Sequence, residues 1–207
     1  MQRIDHQEFH IGAGSGIERR VNVLQGTSYV TGKPDIILTT VLGSCIATCL
    51  YDPIAHIGGM NHFLLSHPAG LNNSEGAESQ RYGVYAMEML INEMLKAGAV
   101  RSRIRAHLYG GANLHSGMKT IGTANIQFAQ DFLRDDGIPL IHSHVGGIDA
   151  RRVDFRAQSG QARCRVVQNV EVLQRKVTPP VSTKGSGDVE LFLGGFFWPP
   201  IREWPFE

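Results

Sequence analysis

No apolar run in this chain approaches the roughly 18–20 residues needed to cross a bilayer, and the first residues, MQRIDHQEFH, lack the apolar core of a signal peptide. Neither membrane insertion nor secretion is expected, so the chain reads as cytoplasmic. Cysteine is scarce: Cys45, Cys49 and Cys164 cannot all pair, and a reducing compartment argues against a disulfide framework. With Ile46–Tyr51 as a strand, four residues at about 3.3 Å each hold Cys45 and Cys49 too far apart to be bonded to one another. Charge bias is absent too. The net charge is +1, and basic residues gather only in short clusters such as Arg101, Arg103 and Arg105 or Arg151 and Arg152, which sets nucleic acid aside as a partner. No C-x-x-C or H-E-x-x-H spacing, phosphate-loop lysine, dinucleotide fingerprint or internal repeat occurs. His142 and His144 project to one face of a strand, but without a third ligand they make no metal site. No metal and no cofactor is expected.

What remains is an ordinary globular composition: 207 residues, 42% hydrophobic and 19% charged, enough for one sizeable core. Val21, Val23 and Leu24 offer a first strand. The β-branched runs IILTTVL from Ile36 and IATCLY from Ile46 read as neighbouring buried strands, and IGGMNHFLL from Ile57 as a third. Leu71 to Ser79 reads as a polar loop. From Arg81 to Ala97, Val84, Met87, Leu90, Ile91, Met94 and Leu95 follow the helical repeat, with Gly98 as the cap. IRAHLYGG from Ile104 reads as a strand, Gly122–Arg134 as a second helix ended by Gly137, and IPLIHSHV as the next strand. That order predicts a parallel βαβ unit, hence an α/β fold. RRVDFRA and ARCRVVQNVEVL suit a closing hairpin. The domain therefore spans residues 1–175. From 176 to 207 a flexible Pro/Gly/Ser linker leads into an apolar tail, LFLGGFFW and beyond, that contains both tryptophans.

The chemistry concentrates in TTVLGSCIATCLYDPIAHIGGMNH, from Thr39 to His62. Cys45 follows Gly43 and Ser44 on a turn between two apolar runs. A thiol there can be exposed among backbone N–H groups able to serve as an oxyanion hole. It needs a base, for which His62 is placed, and a group to orient that base. Each has a plain structural alternative: a cysteine in apolar sequence is commonly inert packing, and a histidine beside Met60, Phe63 and Leu64 is commonly a satisfied core residue. Thr39 and Thr40 fall on opposite faces of a strand, so only one can share the site's face, and the pattern leaves both open. Ser44 fits no G-x-S-x-G elbow, which leaves it a backbone contributor. Cys49 reads as core.

LGSCIATCLYDP, GGMNHFLLSHP, RYGVYAMEMLINEMLKAGA, YGGAN, IGTANIQFAQDFLRDDGIPL and the glycine pair before RRVDF resemble, in order across roughly residues 25–170, the blocks of the CheD family of chemoreceptor glutamine deamidases. The resemblance implies a single α/β domain, a sandwich with helices packed on one side of a mixed β-sheet. It also implies a cysteine amidohydrolase that converts receptor glutamines to glutamate and releases ammonia. The family's catalytic cysteine falls on Cys45, its histidine on His62, and its threonine, six residues before the cysteine, on Thr39. Gly43, Ser44, Asn61 and Gly111 are expected around the oxyanion and substrate pocket. The implied partners are the cytoplasmic domain of chemotaxis receptors and a CheC-type phosphatase. Two features depart from the pattern: Ser143 and His144 stand where an acidic pair is expected, and the aromatic extension after Phe192 goes beyond it. Two alternatives use the same residues: a non-catalytic chemotaxis regulator, and hydrolysis of receptor glutamyl methyl esters through the same acyl-enzyme.

Overall fold

The computed structural model describes residues 8–10, 18–65, 74–113 and 119–167. Ten strands and two helices follow in the order β1 (Glu8–His10), β2 (Arg19–Asn22), β3 (Thr27–Thr31), β4 (Ile36–Leu42), β5 (Ile46–Asp52), β6 (Ile57–His62), α1 (Ser74–Lys96), β7 (Arg105–Gly110), α2 (Lys119–Asp135), β8 (Leu140–Val145), β9 (Ala150–Arg156) and β10 (Gln161–Val167). The strands form two mixed five-stranded sheets, β1-β2-β4-β9-β10 and β3-β6-β5-β7-β8. The class is the expected α/β, with a second sheet beyond the single one expected.

The expectation that IILTTVL and IATCLY are neighbours is corrected: β4 and β5 lie in different sheets, so the three residues between them carry the chain from one sheet to the other. Both strands are apolar on both faces, and each takes a central place, β4 between β2 and β9, β5 between β6 and β7. One face of β5 (Ile46, Leu50) joins Phe63, Ala106 and Leu108 in a cluster closed by Met87, Leu90, Ile91 and Met94 of α1 and Ala129 and Leu133 of α2. The other face (Ala47, Cys49) joins Met60 and Tyr109 and meets Ile36, Leu38 and Leu42 of β4 and Val153 and Phe155 of β9. The helices thus cover one sheet, and the second cluster binds the two sheets to each other.

The helical stripe is as expected for Met87 to Met94, but Val84 is exposed, and α1 begins at Ser74 where a loop to Ser79 was expected. Its end is capped as read: Gly98 takes φ +108°, and the N–H groups of Gly98 and Ala99 donate to Leu95 O and Met94 O, 3.0 Å each. β7, α2 and β8 form the parallel βαβ unit, and β9 and β10 the closing hairpin. The turn at Asp52 is a built anchor. Its fully buried carboxylate accepts the N–H groups of Ile54 (2.9 Å), Ala55 (3.1 Å) and Val100 (2.9 Å) and both arms of Arg103. No helix among the described residues is long and apolar enough to cross a membrane. The linker and aromatic tail from residue 176 lie outside the described residues.

Candidate active site

The crossover Gly43-Ser44-Cys45 is held by its carbonyls. Gly43 O accepts Ala112 N–H (2.8 Å), Ser44 O accepts Asn125 Nδ2 (3.1 Å) and Cys45 O accepts Gly111 N–H (2.7 Å). A trans peptide points its N–H opposite to its carbonyl. With Gly43 O and Ser44 O turned toward β7 and α2, the N–H groups of Ser44 and Cys45 point away from them, and among the described residues neither donates to a backbone carbonyl. The close approach requires glycine: a Cβ on Gly110 would lie 2.0 Å from Cys45 O, and Gly110 and Gly111 take φ of +112° and +67°. Gly111, expected in the substrate pocket, instead braces the turn.

His62 ends β6 and is buried. Cys49 pairs with Met60 and Ile46 bridges Phe63 in one register. That register sets Ala47 across from His62, and Cys45, two residues before Ala47 on the turn, packs against the same inter-sheet cluster as Ala47. No hydrogen bond joins Cys45 to His62; Cys45 Sγ donates to Gln25 Oε1 at 3.5 Å. The ladder bond at Asn61 is replaced by its side chain, which accepts Thr48 N–H (3.0 Å) and donates to Ala86 O (3.1 Å). Asn61 is therefore committed to joining β5 to α1 rather than free for an oxyanion.

Of the two threonines, Thr40 is the one at the histidine ring. Thr40 Oγ1 lies 2.9 Å from His62 Nδ1, whereas Thr39 Oγ1 donates to Asp154 Oδ1 (2.7 Å) on the opposite face of β4. Strand alternation is the reason: Thr40 shares the inward face with Leu38 and Leu42, and Thr39 the outward face with Ile37 and Val41. The network also fixes the ring's tautomer. Thr40 spends its one proton on Val23 O (2.9 Å), and that same carbonyl lies 3.2 Å from His62 Nδ1. Nδ1 faces two acceptors and so carries the hydrogen, which leaves Nε2 as the bare lone pair. Nε2 is buried without a partner among the described residues.

Burial pushes His62 below its ordinary 6.5, the Val23 carbonyl offsetting part of this, and pushes the Cys45 thiol above 9.0, its own backbone N–H pulling the other way. The resting pair is therefore neutral imidazole and neutral thiol. A cavity of about 130 Å³ opens on His62 between Gly26, Ser28, Tyr82, Tyr85 and Met89. Tyr82 is near enough to Cys45 that burial, and then the thiolate's charge, raise its phenol. Larger cavities of about 560 and 600 Å³ lie between α1 and α2 and along α1, and neither is lined by a cysteine or a histidine.

Sequence reading left Thr40 open beside Thr39 and missed Gln25, Tyr82 and Asn125. Asn125 had a signal, because it is a polar residue in line with Ala129 and Leu133 on the buried stripe of α2. Fully buried, it accepts Leu65 N–H (2.8 Å) and donates to Ser44 O and Ile121 O (3.1 and 3.0 Å), tying the Cys45 turn to the segment beyond His62. Away from the site, His144 Nδ1 lies 3.7 Å from Cys164 Sγ and His142 stacks edge-on to His107. Among the described residues no three such groups converge on a metal position.

A family model described as CheD chemotactic sensory transduction matches residues 64–166. A protein of Caulobacter sp. (strain K31), named a probable chemoreceptor glutamine deamidase CheD, is 50% identical over 181 residues, 86% of this chain and 95% of that one. The chain belongs to the CheD family. A relative with the same name from Zymomonas mobilis is 51% identical over 174 residues, covering 84% of this chain and 93% of its own. The crystal structure of Bacillus licheniformis hypothetical protein YfiH aligns over 56% of this chain and 49% of that one at 16% identity and a TM-score of 0.37, a likeness too slight to bear on function. Within a CheD chain, the half-buried cysteine of the crossover and the buried histidine that lines the small cavity are the candidate nucleophile and base.

Proposed function

We propose that this chain hydrolyses the side-chain amide of selected glutamines in the cytoplasmic part of chemoreceptors, giving glutamate and ammonia, with Cys45 as nucleophile, His62 as base and Thr40 as the group that orients the ring. The observation that carries it is the arrangement at His62: Nδ1 is held by Thr40 and Val23, and Nε2 is left unpartnered on the face it shares with Cys45.

Substrate entry displaces the weak Cys45–Gln25 contact, and the thiol swings toward Nε2. His62 takes the thiol proton as sulfur attacks the carboxamide carbon. The oxyanion that forms faces the outward N–H groups of Ser44 and Cys45. The imidazolium then returns the proton to the departing nitrogen, ammonia leaves, and a thioester remains on Cys45. His62 next activates a water that hydrolyses the thioester, releasing glutamate and the thiol. Thr40 is neutral and steadies the imidazolium less than a carboxylate does, so its contribution is chiefly orientation. The family resemblance also supports a CheC-type phosphatase as a partner, testable by co-purification with such a protein.

The experiment is deamidation of a purified receptor fragment, read by peptide mass and ammonia release. With wild type active, Thr40→Val is expected to lower kcat roughly 10- to 100-fold with KM little changed, because ring orientation matters most in the transition state. Thr39→Val is expected to stay within about threefold, since its hydroxyl serves Asp154. The reverse ranking would return the orienting role to Thr39.

The neutral resting pair sets the pH profile. Activity needs unprotonated His62, so kcat/KM is expected to rise through an inflection below pH 6.5 and hold through neutrality. It falls above pH 9.0, where Cys45 ionises without the imidazole proton that the leaving group needs. Alkylation of Cys45 by iodoacetamide should rise only toward that upper value. An alkylation inflection near or below pH 7 would indicate a preformed thiolate–imidazolium pair instead.

A further inference from the structure

The outward face of the β1-β2-β4-β9-β10 sheet is built from alternate residues of four strands: Arg20 of β2, Ile37, Thr39 and Val41 of β4, Arg152, Asp154 and Arg156 of β9, and Arg163 and Arg165 of β10. Val21, Leu38, Val153 and Phe155 take the inward positions between them. Neither helix packs on this face; both lie on the other sheet. Five guanidinium groups meet two carboxylates, Asp154 and Glu18, which leaves three positive charges on one face of a chain whose whole net charge is +1.

The carboxylates are already committed. Asp154 accepts the Thr39 hydroxyl and pairs with Arg20 at 2.8 Å, and Glu18 pairs with Arg156. Arg152 and Arg165 each lie 3.9 Å from Asp154, Arg152 also donates to the Thr39 hydroxyl at 3.5 Å, and both are 53% exposed. They also stand directly opposite each other in the β9–β10 register. Like charges facing across strands destabilise a sheet, and the more distant Asp154, shared with Arg20, does not fully offset that. A carboxylate placed between them would, because an arginine fork matches it in two parallel hydrogen bonds. Beside the pair, a groove of about 490 Å³ runs past Arg20, Asp154, Arg156 and Arg163. Arg152 is in register with Val41, four residues before Cys45 along the chain, so the stripe begins just before the crossover that carries the nucleophile.

We propose that this face docks an acidic flank of the protein substrate, carboxylates of the receptor bridging Arg152 and Arg165 and filling the groove beside them. An acidic protein segment suits it better than nucleic acid. Asp154 and Glu18 sit among the arginines and repel a continuous phosphate track, while separate side-chain carboxylates fit between them. The proposal rests on the deamidase reading, and that chemistry gives it a consequence: each turnover changes a neutral amide into a carboxylate, so the face favours receptor already partly converted.

The test compares full-length wild type with Arg152→Glu/Arg165→Glu and with the milder Arg152→Gln/Arg165→Gln, each checked by thermal melting. For a receptor cytoplasmic fragment, the reversed pair is expected to raise KM and Kd about tenfold or more, the neutral pair less, with kcat unchanged and the salt dependence of binding flattened. Hydrolysis of a short uncharged glutamine peptide and alkylation of Cys45 should stay at wild-type rates. Unchanged receptor KM in folded variants, or equal losses on the short peptide, would overturn the docking face. So would arginine-dependent binding of duplex DNA or anionic vesicles with receptor binding intact. Should wild type bind the fragment without turning it over, the deamidase reading fails, and Kd alone still decides the docking surface.

Discussion

Cys45→Ala is expected to bring deamidation of a receptor fragment down to the uncatalysed background, a loss of about 10⁴-fold or more, with melting temperature nearly unchanged. The residue is only half-buried and its thiol makes one long contact, to Gln25, so its removal leaves no large cavity and no unsatisfied partner of consequence. His62→Ala should cost 10²- to 10⁴-fold, the range of a lost general base. Because the two act on one proton, the double variant should be no worse than Cys45→Ala alone. Iodoacetamide separates the roles when read by peptide mass: the Cys45 adduct is lost in the cysteine variant, leaving that of the part-exposed Cys164, and forms more slowly in the histidine variant. A Cys45→Ala protein that still releases ammonia from receptor would leave the non-catalytic reading for Cys45 and move the chemistry elsewhere.

The second large effect concerns stability. Asp52→Ala is expected to destabilise the fold by about 3–5 kcal/mol, because it removes the fully buried carboxylate that neutralises Arg103 and accepts three backbone N–H groups. For a domain of this size that corresponds to a melting point lower by roughly 6–20 °C. Burial disfavours the Asp52 carboxylate, but Arg103 and the Val100, Ala55 and Ile54 N–H groups outweigh it and hold its pKa well below the ordinary 3.8. The folded pKa is the lower one, so the stabilisation is complete above the unfolded value and is lost as pH falls through the folded one. Acid denaturation of wild type below about pH 4 should therefore be steeper than that of Asp52→Ala. Equal acid slopes would show that Asp52 does not contribute through its charge.

How far the sequence carried depends on which physical feature is asked about. The helical stripe of α1, its glycine cap, the βαβ unit and the β9–β10 hairpin were legible because each is specified by neighbours along the chain. The separation of β4 and β5 was not, because two strands apolar on both faces look alike whether they pair or take the centres of different sheets. That ambiguity hid the central feature of the site, a cysteine on the crossover between sheets. Cys45 and His62 became candidates because cysteine is scarce and their spacing matched a family pattern. Thr40 could not be preferred over Thr39: alternation says they face opposite ways, but only the packing says which way is in. The arginine face was invisible for a similar reason. Its residues span positions 20 to 165, and only the sheet brings them together.

The most direct measurement is to mix the protein with a receptor fragment, quench in acid within the first turnovers, and map the acylated residue by peptide mass alongside ammonia release. The expected result is a glutamyl thioester on Cys45, absent from Cys45→Ala and longer-lived in His62→Ala, where no base activates the water. Acylation of Cys49 or Cys164, or steady ammonia release from Cys45→Ala, would contradict it.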